Sequence, residues 1–122
     1  MDDTRPAHFI ADNRTKRKTY RLGRKMLADT FPRTFSQRGQ PKRPLAFGVK
    51  RKLLEAAAEG GIELTPAEVA AIVSLYCSSK KYLEAMVPGA ARIGLDGLAH
   101  GLVDEEAARR AREKMAKKGW LV

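Results

Sequence analysis

The chain has 122 residues, 43% of them hydrophobic but only 7% aromatic, and it carries a formal charge of +10. That length suits one domain with at most a tail on either side, a single cysteine (Cys77) excludes an internal disulfide, and no apolar run approaches the ~20 residues of a membrane helix. So large an excess of cations points to a polyanionic partner such as nucleic acid or an acidic surface.

Residues 1–20 are polar, include Pro6 and hold no sustained apolar period, so they are expected as a basic, flexible N-terminal arm. The chain starts with Asp2 and Asp3 and no hydrophobic leader, from which a cytoplasmic protein is expected. Leu22, Met26 and Leu27 predict a short helical stripe that Pro32 stops. Gly39 to Pro44 is a predicted loop, because two prolines and a glycine oppose regular structure. Leu45 to Glu59 is a predicted helix with Val49, Leu53, Ala56 and Ala57 on one side, ended by Gly60-Gly61.

The strongest local signal follows. Thr65 is a cap, Pro66 takes the first helical position and Glu68 completes a capping box. Leu64 precedes the cap as a staple for Val69, and Val69, Ile72, Val73 and Tyr76 follow the spacing of a core-facing helix. Ser78 or Ser79 caps a further helix from Lys80 to about Met86. Pro88-Gly89 turns the chain. Ile93 and Leu95 alternate with Arg92, Gly94 and Asp96, which predicts a half-buried strand with Arg92 on the face opposite the buried side chain. Asp96-Gly97 is the turn and His100 to Val103 the returning strand. Asp104 caps a last helix, with Glu105 and Glu106 at its positive end and Lys117-Lys118-Gly119 closing it. The expectation is an α+β domain of about five helices with one small β-hairpin over residues 21–118, and a short C-terminal tail at 119–122.

Charge is segregated along this order. Arg14–Lys25 holds seven basic residues and no acid, and Arg33–Lys52 again seven and none. Leu53–Ala107 has three basic against nine acidic residues, and residues 108–122 have six against one. Binding by counterion release needs cations gathered on one path, and the first two blocks supply such a path. Arg109, Arg110 and Arg112 read instead as a solvated helix face.

Enzymatic constellations are missing from the sequence. His8, His100 and Cys77 lie far apart with no metal-ligand spacing, and Cys77 has no neighbouring base, so it reads as a small buried thiol. Gly94, Gly97 and Gly101 lack the dinucleotide spacing. The expectation is a non-enzyme with no cofactor, no metal and no small-molecule substrate. Ser78 and Ser79 mark a helix start, where free N–H groups suit a phosphate, and Lys80 and Lys81 place cations there against the helix dipole. Tyr82 offers either a ring and hydroxyl for RNA or a core aromatic. A basic adaptor that binds the ribosome or DNA is the rival reading of the same charge.

Leu75–Gly101 places two serines, Lys80-Lys81, Tyr82, Pro88-Gly89, Arg92 and Asp96-Gly97 in a fixed order. Upstream stand Phe31-Pro32, Phe35 and Pro44-Leu45-Ala46-Phe47-Gly48. Together this set resembles the ProQ/FinO family of bacterial RNA chaperones. The resemblance implies a FinO-like domain that takes structured small RNAs or mRNA 3′ ends at the base of a terminator hairpin and its U-tail; a monomer is expected. It implies that Tyr82, Arg92 and the Ser78-Ser79 cap recognise the 3′ end, with Lys80, Lys81, Arg43, Lys50 and Arg51 near phosphates. The chain departs from the family at Ala46, Pro66, Ala70 and Ser74, where some members carry basic residues. Lys50, Arg51 and Lys52 are expected to compensate, although consecutive helical residues point different ways.

Overall fold

The computed structural model describes residues 13–121. Its elements are α1 (Asn13–Thr30), α2 (Val49–Ala58), α3 (Pro66–Cys77), α4 (Lys80–Ala85), β1 (Ala91–Ile93), β2 (Ala99–Leu102) and α5 (Glu105–Lys117). Five helices and one antiparallel hairpin make up the described residues, as the sequence predicts.

α3 is the centre of the fold because both α1 and α2 pack on it. Its start has the predicted chemistry: the Thr65 side chain accepts from the Glu68 N–H at 3.1 Å, and the Glu68 carboxylate accepts from the Thr65 N–H at 2.9 Å. Val69, Ile72, Val73 and Tyr76 face the core, joined there by Leu27, Phe35 and Leu53. α1 approaches closely at Gly23, where a Cβ would stand 2.1 Å from Ile72 Cδ1. The glycine thus serves helix contact rather than flexibility.

α1 differs from expectation in two ways. It begins at Asn13, so residues 13–20, expected in the arm, are helical, and the helix continues unbroken into the predicted domain. Residues 1–12 lie outside the described residues. The predicted stripe is also rotated: Leu22 is 56% exposed, whereas Gly23, Arg24, Leu27 and Ala28 are buried. Tyr20, packed partly against the core, extends that face by a further turn.

α2 is shorter than predicted, starting at Val49 instead of Leu45. Gly48 has a left-handed backbone (φ 90°), a conformation that glycine adopts without steric cost and that halts helix propagation there. Leu45 instead forms a parallel bridge with Ile93, secured by Ile93 N–H to the Pro44 carbonyl at 2.8 Å and Ala46 N–H to the Ile93 carbonyl at 2.9 Å. β1 is therefore held on one edge by β2 and on the other by residues 44–46. α5, capped by Asp104, packs on α4 through Leu83, Ala111 and Met115.

Candidate nucleic-acid interface

Ser79, not Ser78, caps α4; Ser78 is the exposed C-cap of α3. The Ser79 hydroxyl donates to the Tyr76 carbonyl at 2.7 Å and accepts from Lys42 Nζ at 2.7 Å and, more weakly, from the Tyr82 N–H at 3.4 Å. α4 has only six residues, so its dipole is short and the positive character here comes mainly from side chains. Lys80 and Lys81 are exposed on its first turn, and Lys81 Nζ donates to the Gly39 carbonyl at 3.2 Å.

Lys42 is the cation that sequence reasoning missed. Its ammonium lies 4.6 Å from the Tyr76 ring centroid as well as on Ser79. Burial lowers its pKa, and the like charges of Arg24 and Lys81 lower it further. Three segments distant in sequence thus bring cations together. The only signal for it was the adjacent Arg43 in the same basic loop.

Tyr82 is a core residue. It is 6% exposed, packs edge-to-face on Tyr76 with centroids 5.9 Å apart, and accepts the Leu45 N–H on its hydroxyl at 3.0 Å. Of the two readings of Tyr82, the structure has the core aromatic: the side chain fastens α4 to the Leu45 segment. Burial, and after it the Cys77 thiol, pushes its phenol up to about 12. Burial likewise raises the pKa of Cys77, consistent with an inert thiol.

Arg92 is also inside, at 8% exposure, and not on an outer strand face. Its NH1 donates to the Leu45 carbonyl at 3.0 Å and its guanidinium lies 4.5 Å from the Phe47 ring centroid. Burial of a charge is tolerated because the carbonyl and the ring face compensate it. Its Nε is buried without a partner among the described residues. Leu45 thus links the two: its N–H meets Tyr82 and its carbonyl meets Arg92. Phe47 is 86% exposed, the most open large apolar side chain among the described residues.

The remaining expected cations are dispersed. Arg43 is half-buried and spends its guanidinium on the Arg33 carbonyl at 2.7 Å and the Pro32 carbonyl at 2.9 Å. Lys50 and Arg51 are exposed on α2, and Arg51 pairs with Glu55 at 3.2 Å. Lys52 points elsewhere, into a recess with Phe47, Asp96 and His100. On α5, Arg109 pairs with Glu106 and Glu113, as a solvated face should. Among the described residues no cluster of His, Cys, Asp or Glu is suited to a metal, and no helix is long and apolar enough to cross a membrane.

A family model described as the ProQ/FINO family matches residues 23–119. Among solved structures, a ProQ homolog from Legionella pneumophila is similar at 21% identity and a TM-score of 0.70, covering 84% of this chain and 85% of the other. A FinO-like RNA chaperone from Neisseria meningitidis is similar at 23% identity and a TM-score of 0.57, covering 79% of this chain and 93% of the other. At these identities the structures bear on the fold.

Proposed function

The chain belongs to the ProQ/FinO family, and from that premise we propose that it is an RNA-binding chaperone that holds the 3′ ends of structured RNAs. The observation that carries this reading is the convergence of Arg24 from α1, Lys42 from the loop and Lys81 from α4 beside Ser79, with no carboxylate lining the same recess among the described residues. Like charges repel, so holding them together costs stability unless a polyanion neutralises them. Phosphate oxygens are the natural counterpart of such a cluster.

The finer specificity is a terminator hairpin with a single-stranded U-tail, in small RNAs or mRNAs, for stabilisation or pairing. An A-form duplex offers side chains shape and phosphates, whereas an unpaired 3′ end adds exposed bases and hydroxyls. In this reading Arg92, with the exposed Phe47 ring beside it, contacts the RNA, while Tyr82 acts from the core by fixing Leu45 between them. Ser79, Lys80, Lys81, Lys50 and Arg51 lie toward the backbone, with Ser78 next to the cap and Arg43 buttressing the loop.

Affinity for a hairpin with and without its U-tail, in the wild type and in Arg92→Ala, tests this. Tail removal and the substitution should each weaken binding by about tenfold or more. If neither does, 3′-end recognition at this site is wrong. Equal affinity for duplex DNA of the same length would favour the adaptor reading.

A further inference from the structure

The recess beside Ser79 does not end at Lys42 and Lys81. It continues along α1 as a cleft of about 370 Å³ whose cations are Arg17, Arg21, Arg24, Arg38, Lys42 and Lys81. Among the described residues its lining contains no aspartate or glutamate. Tyr20 stands in the same wall.

The spacing on α1 is informative. Arg17, Tyr20, Arg21 and Arg24 occupy i, i+3, i+4 and i+7, the positions that an amphipathic helix normally gives to apolar residues. One turn further on, the same face enters the core as Leu27 and Ala28. A stripe that is apolar at one end is arginine at the other, and the arginine end overlooks the cleft.

An ordinary solvated helix face does not account for it. On α5, Arg109 and Arg110 have acidic partners three or four residues away, and on α1 itself Lys25 pairs with Asp29 at 2.8 Å. Arg21 and Arg38 form no hydrogen bond or ion pair with any described residue. Arg17 and Arg21 are four residues apart, and like charges at that spacing cost a helix ~0.2–0.5 kcal/mol. Three other cations of the lining are fixed in place: Arg24 NH1 donates to the Ser36 carbonyl at 3.2 Å, Lys42 to Ser79, and Lys81 to Gly39. These three tethered cations share one space with Arg17 and with Arg21 and Arg38, which have no partner among the described residues.

Size selects the ligand. The cleft lies near the lower end of the ~300–1,000 Å³ range of small-ligand sites, which suits one nucleotide rather than a duplex. Cations along a groove with an aromatic ring in its wall are the recurring arrangement for single strands. We propose that this cleft between α1 and residues 37–42 holds an unpaired nucleotide of the RNA and its flanking phosphates, a contact separate from Arg92. The inference rests on the RNA-binding reading above and adds the path of the single strand away from the α4 cap.

The test measures binding of a tailed and a blunt hairpin over a salt series. It compares the full-length wild type, Arg21→Gln/Arg38→Gln, and the equally discharged Arg110→Gln/Arg112→Gln on α5, with Arg92→Ala alongside. The cleft variant should lose about tenfold on the tailed hairpin and lower its log–log salt slope by about 1.4, two phosphates at ~0.7 each. On the blunt hairpin it should match the α5 variant. A cleft variant that tracks the α5 variant on both RNAs, or that weakens both RNAs alike, overturns the proposal. Arg92→Ala still losing the tailed RNA would then leave the 3′-end reading standing. A wild type that binds neither RNA overturns both.

Discussion

Arg92 and Arg21 are both arginines of a proposed RNA-binding face, yet the fold treats them in opposite ways. Arg92 is enclosed, bonded to the Leu45 carbonyl and stacked on Phe47. Arg21 is exposed on a helix wall with no acidic partner among the described residues. The first is part of the architecture and presents its charge from a fixed position. The second contributes charge alone. Binding loss after substitution therefore has different meanings at the two ends, and stability measurements separate them.

The largest expected difference lies in folding free energy. Arg92→Ala removes a hydrogen bond from a charged group and the cation lying over the Phe47 ring, a loss of ~1.5–3 kcal/mol. Arg21→Gln/Arg38→Gln should remain within ~0.5 kcal/mol of the wild type, as surface substitutions do. Urea denaturation of the two variants checks this. Equal midpoints would mean that Arg92 is not structural, and its effect on RNA could then be read as contact alone.

Tyr82 sharpens the comparison from the core side. Tyr82→Phe leaves the Leu45 N–H without its acceptor at a cost of ~1–2 kcal/mol at neutral pH, and Arg92 loses a rigid Leu45 carbonyl with it. The pH dependence has a definite sign. The phenol is raised from an ordinary 10.0 to about 12, so its contribution is complete below pH 10 and is lost as pH climbs through about 12. Two units correspond to at most ~2.7 kcal/mol. Tyr82→Phe should therefore lose less stability across that alkaline window than the wild type. Tyr76 and Tyr20, both raised chiefly by burial, keep some of the decline in both proteins. Parallel alkaline unfolding curves would exclude Tyr82 as a source.

What was legible in the sequence follows from the range of the forces involved. The α3 start was readable because Thr65, Pro66 and Glu68 act within one turn, and the same holds for Asp104 on α5. The hairpin was readable from Asp96-Gly97, whose carboxylate accepts the Leu98 N–H two residues on. Arg92 was misplaced because its partner, the Leu45 carbonyl, is 47 residues away and strand alternation says nothing of it. Tyr82 stays undecided between core and RNA in the sequence because its hydroxyl partner is 37 residues off. The first turns of α1 carry no apolar period because their inward face holds arginine, which leaves the sequence without a helix signal there. Lys42 could be found only once the loop and the α4 cap were seen to meet.

The smallest effect concerns Lys42, and it separates the two ends by pH. A guanidinium does not lose its proton in proteins, so a pH effect here has to come from an ammonium. Lys42 has its pKa lowered by burial and then by Arg24 and Lys81, while the Cys77 side chain acts weakly in the other direction. A phosphate seated beside it reverses the repulsion and raises that pKa again, so the bound state holds the proton more tightly than the free protein does. Affinity must then decline as pH rises through the free-state value, earlier than for an ordinary lysine. The decline should be a few-fold, the worth of one partly screened contact. Lys42→Arg keeps the charge and removes the titration, so its affinity for the tailed hairpin should be flatter as pH rises above neutral. Superimposable profiles would place the phosphate away from Lys42 and leave Arg21 and Arg38 to carry the strand.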